Sequence, residues 1–104
     1  MLARGRFKKF KEKVLGKRYE LDLVFVDSKT MKKLNKTYRH KNKDTNVLAF
    51  ALSPGVGQIF LNPVFIKKER GRPLALYIHG LLHLKGYNHG RTMDIEEKKL
   101  CREI

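Results

Sequence analysis

Apolar residues recur along the chain with two different periods, and the switches between those periods predict the order of its elements. In LARGRFKKFKEKVLG, Phe7, Phe10 and Val14 stand three and four residues apart among cations, which gives a first helix one apolar face. YELDLVFVD changes to a period of two. Tyr19, Leu21, Leu23 and Phe25 alternate with Glu20 and Asp22, as in a strand with one buried face. Asp27 or Ser28 then caps a helix that puts Met31, Leu34 and Tyr38 on one side and lysines on the other. NVLAFAL is apolar throughout and predicts a central strand, SPGVG a turn, and QIFL a short strand returning antiparallel to it. Asn62 before Pro63 matches an N-cap with proline at the first helical position, so VFIKKER is expected to be a helix, broken by RGRP.

From Pro73, LALYIHGLLHLK is apolar nearly all round and predicts the buried helix of the fold. Gly86 is placed to end it in the left-handed conformation. Thr92 is the expected cap of a last helix, with Asp94 and Glu96 near its start and Lys98, Lys99 and Arg102 later, as the helix dipole prefers. The pattern predicts an α+β fold, a small mixed β-sheet of about three strands with helices packed on it. With 104 residues, 41% of them apolar, the chain supports one modest core, so residues 1–104 are expected to form a single domain.

Charge adds a partner to this picture. Lys and Arg number 24 against 10 Asp and Glu, a formal charge of +14, and a polyanion is the simplest reason to tolerate that self-repulsion. Residues 1–18 carry eight bases and only Glu12, residues 29–43 carry seven with no acid, and residues 67–72 carry four with Glu69. From Thr92 onward acids and bases nearly balance, so the excess belongs to the first 91 residues. No stretch approaches the roughly 20 apolar residues of a membrane span. The basic first helix could lie on a membrane surface or act as a transit peptide, but packing one face on the core is the expectation preferred here. A cytoplasmic location is expected. Cys101 stands alone and permits no internal disulfide, which suits a reducing compartment.

Three of the four histidines fall within HGLLHLKGYNHG, residues 79 to 90, which poses a choice between a metal site, a catalytic base pair and coincidence. His79 and His83 are four apart on the buried helix and therefore share a face one turn apart. Gly86 turns the chain back, so His89 can reach the same point from a loop. A single histidine here reads as a satisfied core or surface residue. Two imidazoles on the most apolar helix, with a third beyond its glycine, need a common explanation, because buried polar groups cost a few kcal/mol unless paired. A metal with three nitrogen ligands and an open fourth position supplies it. Zinc is the default, with nickel and copper also compatible with imidazole. The spacing also matches metzincin proteases, in which a glutamate follows the first histidine as general base. Gly80 occupies that position here, and the sequence holds no carboxyl group between Glu69 and Asp94.

HGLLHLKGYNHG resembles the signature of the YbeY family, metal-dependent endoribonucleases and ribosomal RNA maturation factors of bacteria, whose motif runs HGxLHLxGYDH. LNKTYRHKNKDTNVLAF resembles the family's LNxxYRxKDxPTDVLSF, and GQI resembles its GDI. The resemblance implies zinc ligands at His79, His83 and His89, with His79 and Arg39 as catalytic residues and Arg39 acting on the scissile phosphate. A guanidinium suits that role, since it offers phosphate a planar fork of donors and keeps its charge at any working pH. His40 falls at a variable position and reads as solvent-exposed or a phosphate contact. Departures from the pattern include Asn88 for the acid before the last histidine, Gln58 and Asn42 for two further acids, and Asp44 for a proline. An asparagine can still hydrogen-bond a ligand but makes it less basic. The family's first strand, ahead of the basic helix, has no counterpart, which implies a more exposed sheet edge.

The function expected from the resemblance is a zinc-dependent, single-strand-specific endoribonuclease in ribosomal RNA maturation or ribosome quality control. Its RNA would lie along Lys32, Lys33, Lys36, Arg39, Lys41 and Lys43, with ribosomal RNA and the small ribosomal subunit as partners. Rival readings are a ribosome-assembly factor with a structural metal, a metalloprotease, disfavoured by Gly80, and a nonspecific basic RNA binder.

Overall fold

The computed structural model describes residues 4–39, 47–62, 73–88 and 90–103, with the backbone alone at Arg4, Tyr38, Arg39 and Pro73. Among these residues the chain forms α1 (Arg4–Leu15), β1 (Glu20–Phe25), α2 (Ser28–Arg39), β2 (Val47–Ser53), β3 (Val56–Leu61), α3 (Pro73–Lys85) and α4 (Arg91–Cys101). The α+β architecture and the three-stranded mixed sheet match the sequence expectation. The expected VFIKKER helix lies outside the described residues.

The sheet order is β1-β3-β2, with β1 parallel and β2 antiparallel to β3. This corrects one expectation: among the described residues β2, which begins at Val47 within the NVLAFAL run, is an edge strand, and the strand containing QIFL is central. The physical reason is that a continuous apolar run reports burial of a strand's two faces and says nothing about its edges. On one face Val47 and Ala49 pack against the main core, and on the other Leu48 is 3% exposed. Beyond Ala51 the register slips, and Leu52 is left 57% exposed. Pro54 and Gly55 make the two-residue hairpin to β3, with Gly55 at φ 77°, a value that side chains with a Cβ resist.

Helices cover both sheet faces. On the first, α3 lies on β2 and β3 and also contacts α1 and α4. Its Tyr77, Ile78, Leu81 and Leu82 meet Phe7, Phe10 and Val14 of α1, Ile59 and Leu61 of β3, and Met93 and Leu100 of α4. Full burial of each such side chain contributes about 1.5–3 kcal/mol. The apolar face read for α1 therefore packs inward, and the Phe7 and Tyr77 rings meet edge to face at 4.8 Å. On the second face, Leu34 of α2 lines a hollow with Phe50 and Phe60, whose rings stand 5.7 Å apart, and Met31 is buried.

The α2 cap follows the expectation. Asp27 Oδ1 accepts a 2.7 Å hydrogen bond from the Thr30 amide, and hydrogen bonds with Thr30, side chain first, hold the Asp27 carboxyl below its ordinary value. Asn62 is fully buried and donates from Nδ2 to Ser28 Oγ at 3.0 Å, tying the end of β3 to the start of α2. The last helix corrects a second expectation. Its N-cap is Gly90, with no side-chain cap, and Thr92 lies inside the helix. The Asp94 amide donates to the Gly90 carbonyl at 3.0 Å, so the first helical turn closes from Gly90 and takes in Thr92, while Met93 and Leu100 face the core.

Among the described residues no strand pairs with the outer edge of β1. A hollow of about 550 Å³ opens there between β1 and α1, lined by Phe7, Lys8, Leu21, Leu23 and Phe25 among others. Phe25 is 43% exposed.

Candidate metal centre

The site is set by how α3 ends. Gly86, at φ 112°, takes the conformation that stops a helix. Its amide donates to the His83 carbonyl at 3.0 Å, and the Tyr87 amide donates to the Leu82 carbonyl at 3.0 Å, the paired bonds of a Schellman turn. This turn brings the Tyr87 carbonyl back over the last turn of the helix. There it accepts a 3.1 Å hydrogen bond from His83 Nδ1.

One turn earlier, His79 Nδ1 lies 3.1 Å from Oε1 of Glu97, which reaches across from α4. Both side chains are about a quarter exposed, at 25% and 26%. A carbonyl and a carboxylate can only accept, so each Nδ1 carries a proton, and in the neutral form of such a ring the lone pair is at Nε2. The two Nε2 atoms face one another at 3.2 Å, with the rings crossing at 79°. Lone pairs so close repel unless a cation, either a proton or a metal ion, lies between them.

The donor set fits a metal. Two nitrogens each about 2.05 Å from a tetrahedral zinc lie about 3.3 Å apart, close to the observed separation. Ligating histidines characteristically donate their other ring nitrogen to a carboxylate or a backbone carbonyl, and both arrangements occur here. Among the described residues no group of three metal-binding side chains converges, and His89 lies outside them.

Gly80, beside His79, faces the sheet. A Cβ there would lie 3.1 Å from Cδ1 and 3.3 Å from Cγ2 of Ile59, which is fully buried on the central strand. The position that carries the general base in metzincins is thus a point of close helix–sheet packing.

Of the other expected site residues, Lys32, Lys33 and Lys36 form an exposed face of α2, and Arg39 closes that helix, described in its backbone only. His40, Lys41 and Lys43 lie outside the described residues, as do Asn42 and Asp44. Asn88 is exposed. Gln58 sits on β3 and donates from Nε2 to Asp22 at 3.4 Å.

A family model described as Endoribonuclease YbeY matches residues 3–103. The chain belongs to the YbeY endoribonuclease family. Members of this family are hydrolases acting on RNA, and metal dependence is a family property. An endoribonuclease YbeY of Pelagibacter ubique is 33% identical over 109 residues, covering 89% of this chain and 70% of the relative. That of Buchnera aphidicola is 34% identical, covering 94% and 72%. That of Bdellovibrio bacteriovorus is 42% identical over a shorter stretch, 69% and 55%. The solution structure of a Thermotoga maritima protein shares the fold, with a TM-score of 0.58 over 92% of this chain and 74% of that one, at 24% identity.

The YbeY resemblance drawn from three segments of the sequence is thus supported over nearly the whole chain. Sequence reasoning missed Glu97. The signal was present: Met93, Glu97 and Leu100 are spaced four and three apart, which sets a carboxylate within the apolar stripe of α4. A charge there needs a partner, and the partner is His79.

Proposed function

We propose that the chain is a zinc-dependent endoribonuclease of single-stranded RNA, acting in the cytoplasm on ribosomal RNA in maturation or quality control of the small ribosomal subunit, and that residues 1–104 form one domain. The observation that carries this reading is the pair of Nε2 atoms of His79 and His83, 3.2 Å apart with both Nδ1 atoms committed to acceptors. His89 completes the ligand set. When bound, zinc supplies Lewis acidity toward water and the phosphoryl oxygens.

The chain's own residues supply the rest. His79 and His83 hold the ion through Nε2 while Glu97 and the Tyr87 carbonyl fix their rings. Arg39 directs its guanidinium at the non-bridging oxygens of the scissile phosphate, where charge builds up as the bond breaks. Lys32, Lys33, Lys36, Arg39, Lys41 and Lys43 hold the RNA backbone. These contacts make binding steeply salt-dependent.

Cleavage of single-stranded ribosomal RNA by the zinc-loaded protein tests the reading, with Arg39→Ala and His83→Ala beside wild type. Arg39→Ala is expected to keep its metal and lose cleavage about 100- to 1,000-fold, the usual loss when one charge-stabilising donor is removed. A 2′,3′-cyclic phosphate at the product end would identify the RNA 2′-hydroxyl as the nucleophile. Equal background cleavage by all three proteins would overturn the enzymatic reading. It would favour the second one, an assembly factor with a structural metal, which the hydrogen-bonded link of α3 to α4 through His79 and Glu97 also supports.

A further inference from the structure

We propose that Glu97 is the positioning carboxylate of the metal centre, fixing His79 in its ligating tautomer and making the last helix, α4, part of the metal-binding unit. The inference rests on the reading that His79 and His83 hold a metal. It adds a residue from an element outside the histidine motif.

Four observations converge on Glu97. Its Oε1 lies 3.1 Å from His79 Nδ1, with both side chains about three-quarters buried. It sits between Met93 and Leu100, 1% and 8% exposed, so the packing that seats α4 also aims the carboxylate. Its neighbour Glu96 turns to Lys99 at 3.5 Å, a surface pair, whereas Glu97 turns inward to a ring. Asn88, next to His89, is uncharged and exposed.

The two ligands therefore differ in kind. His83 donates to a neutral carbonyl of its own chain turn, and His79 donates to a full negative charge from another helix. An anionic acceptor raises the basicity of the opposite ring nitrogen and offsets part of a dication's charge. His79 is accordingly the stronger ligand of the pair, and its strength depends on α4 being docked. Removing the charge alone weakens the ligand; removing the acceptor also frees the ring to rotate or change tautomer.

The test uses zinc as the probe, in competition with a chromophoric chelator, on full-length wild type, Glu97→Gln, Glu97→Ala and His83→Ala, with thermal unfolding of each metal-free protein alongside. Glu97→Gln keeps an acceptor oxygen and is expected to weaken zinc binding about tenfold; Glu97→Ala is expected to approach a hundredfold. Metal-free unfolding of Glu97→Gln should stay near wild type, since its acceptor and shape are kept. A merely structural link between α3 and α4 predicts the reverse, lowered metal-free stability with unchanged zinc affinity, and that result would overturn the proposal. Tight binding by wild type with equal binding by both Glu97 variants would overturn it alone. Failure of wild type to take up zinc would instead remove the metal reading on which it rests.

Discussion

Replacing Gly86 with alanine separates the backbone turn of the candidate metal centre from its side chains. Gly86 has φ 112°, and a Cβ built there meets nothing within 4 Å, so the substitution adds no clash and its whole cost is conformational. Forcing a residue with a Cβ into a left-handed conformation costs about 1–2 kcal/mol, slightly offset by the stiffer unfolded chain. In a domain of this size each kcal/mol shifts Tm by about 4–8 °C. The metal-free Gly86→Ala protein should therefore melt roughly 5–10 °C below wild type, and Gly86→Asn, which tolerates the conformation better, should fall between them.

The same change has a second readout. If alanine relaxes the turn, the Tyr87 carbonyl leaves His83 Nδ1, and zinc affinity should fall about tenfold, as for other losses of a ligand's hydrogen-bond partner. Urea unfolding gives the stability and chelator competition gives the affinity. Wild-type stability in Gly86→Ala, or an asparagine variant no better than alanine, would refute the account of the turn. Lost stability with unchanged zinc affinity would refute the link between the turn and His83.

Two further predictions concern pH. Burial pushes the Tyr77 phenol well above its ordinary pKa, so its contribution is complete below about pH 10, where the unfolded chain starts to ionise, and is lost above it. Wild type should lose about 1 kcal/mol more than Tyr77→Phe between pH 9 and 11 in urea unfolding, and equal losses would contradict the assignment. The Asp27 carboxyl is shifted the other way, mainly by its hydrogen bonds with Thr30. Its contribution is present above the ordinary carboxylate range and lost as pH falls through the lowered folded value. Asp27→Ala should thus reduce Tm at neutral pH and leave it nearly unchanged in strong acid; the same reduction at both would contradict the cap.

Periodicity revealed most of the fold because it reports which faces are buried. Phe7, Phe10 and Val14 in α1 and the all-round apolar α3 were legible for that reason, and so was the strand character of β1. Strand order was not legible, since NVLAFAL owes its apolar character to helices above and below it. The start of α4 was not legible, because a threonine offers a cap wherever it stands, and the backbone hydrogen bond from the Asp94 amide to the Gly90 carbonyl leaves no mark in the sequence. At the candidate metal centre, the spacing of His79, His83 and Gly86 carried the motif. Glu97 was hidden because it joins the site through packing between two helices, and sequence distance to the histidines gives no hint of that.

The close contact between Gly80 and Ile59 also bears on how this scaffold can change over time. A glutamate beside His79 would stand where metzincins carry their base, but its Cβ would press on Ile59, which is fully buried on the central strand and would have to shift. Trimming Ile59 first would leave a cavity costing about 2–5 kcal/mol, a large share of a small domain's margin. Each step alone lowers the fraction of folded protein, and only the pair together restores the fit. The two positions are therefore expected to couple epistatically, so that a glutamate beside His79 is harder to reach by single substitutions than by the pair.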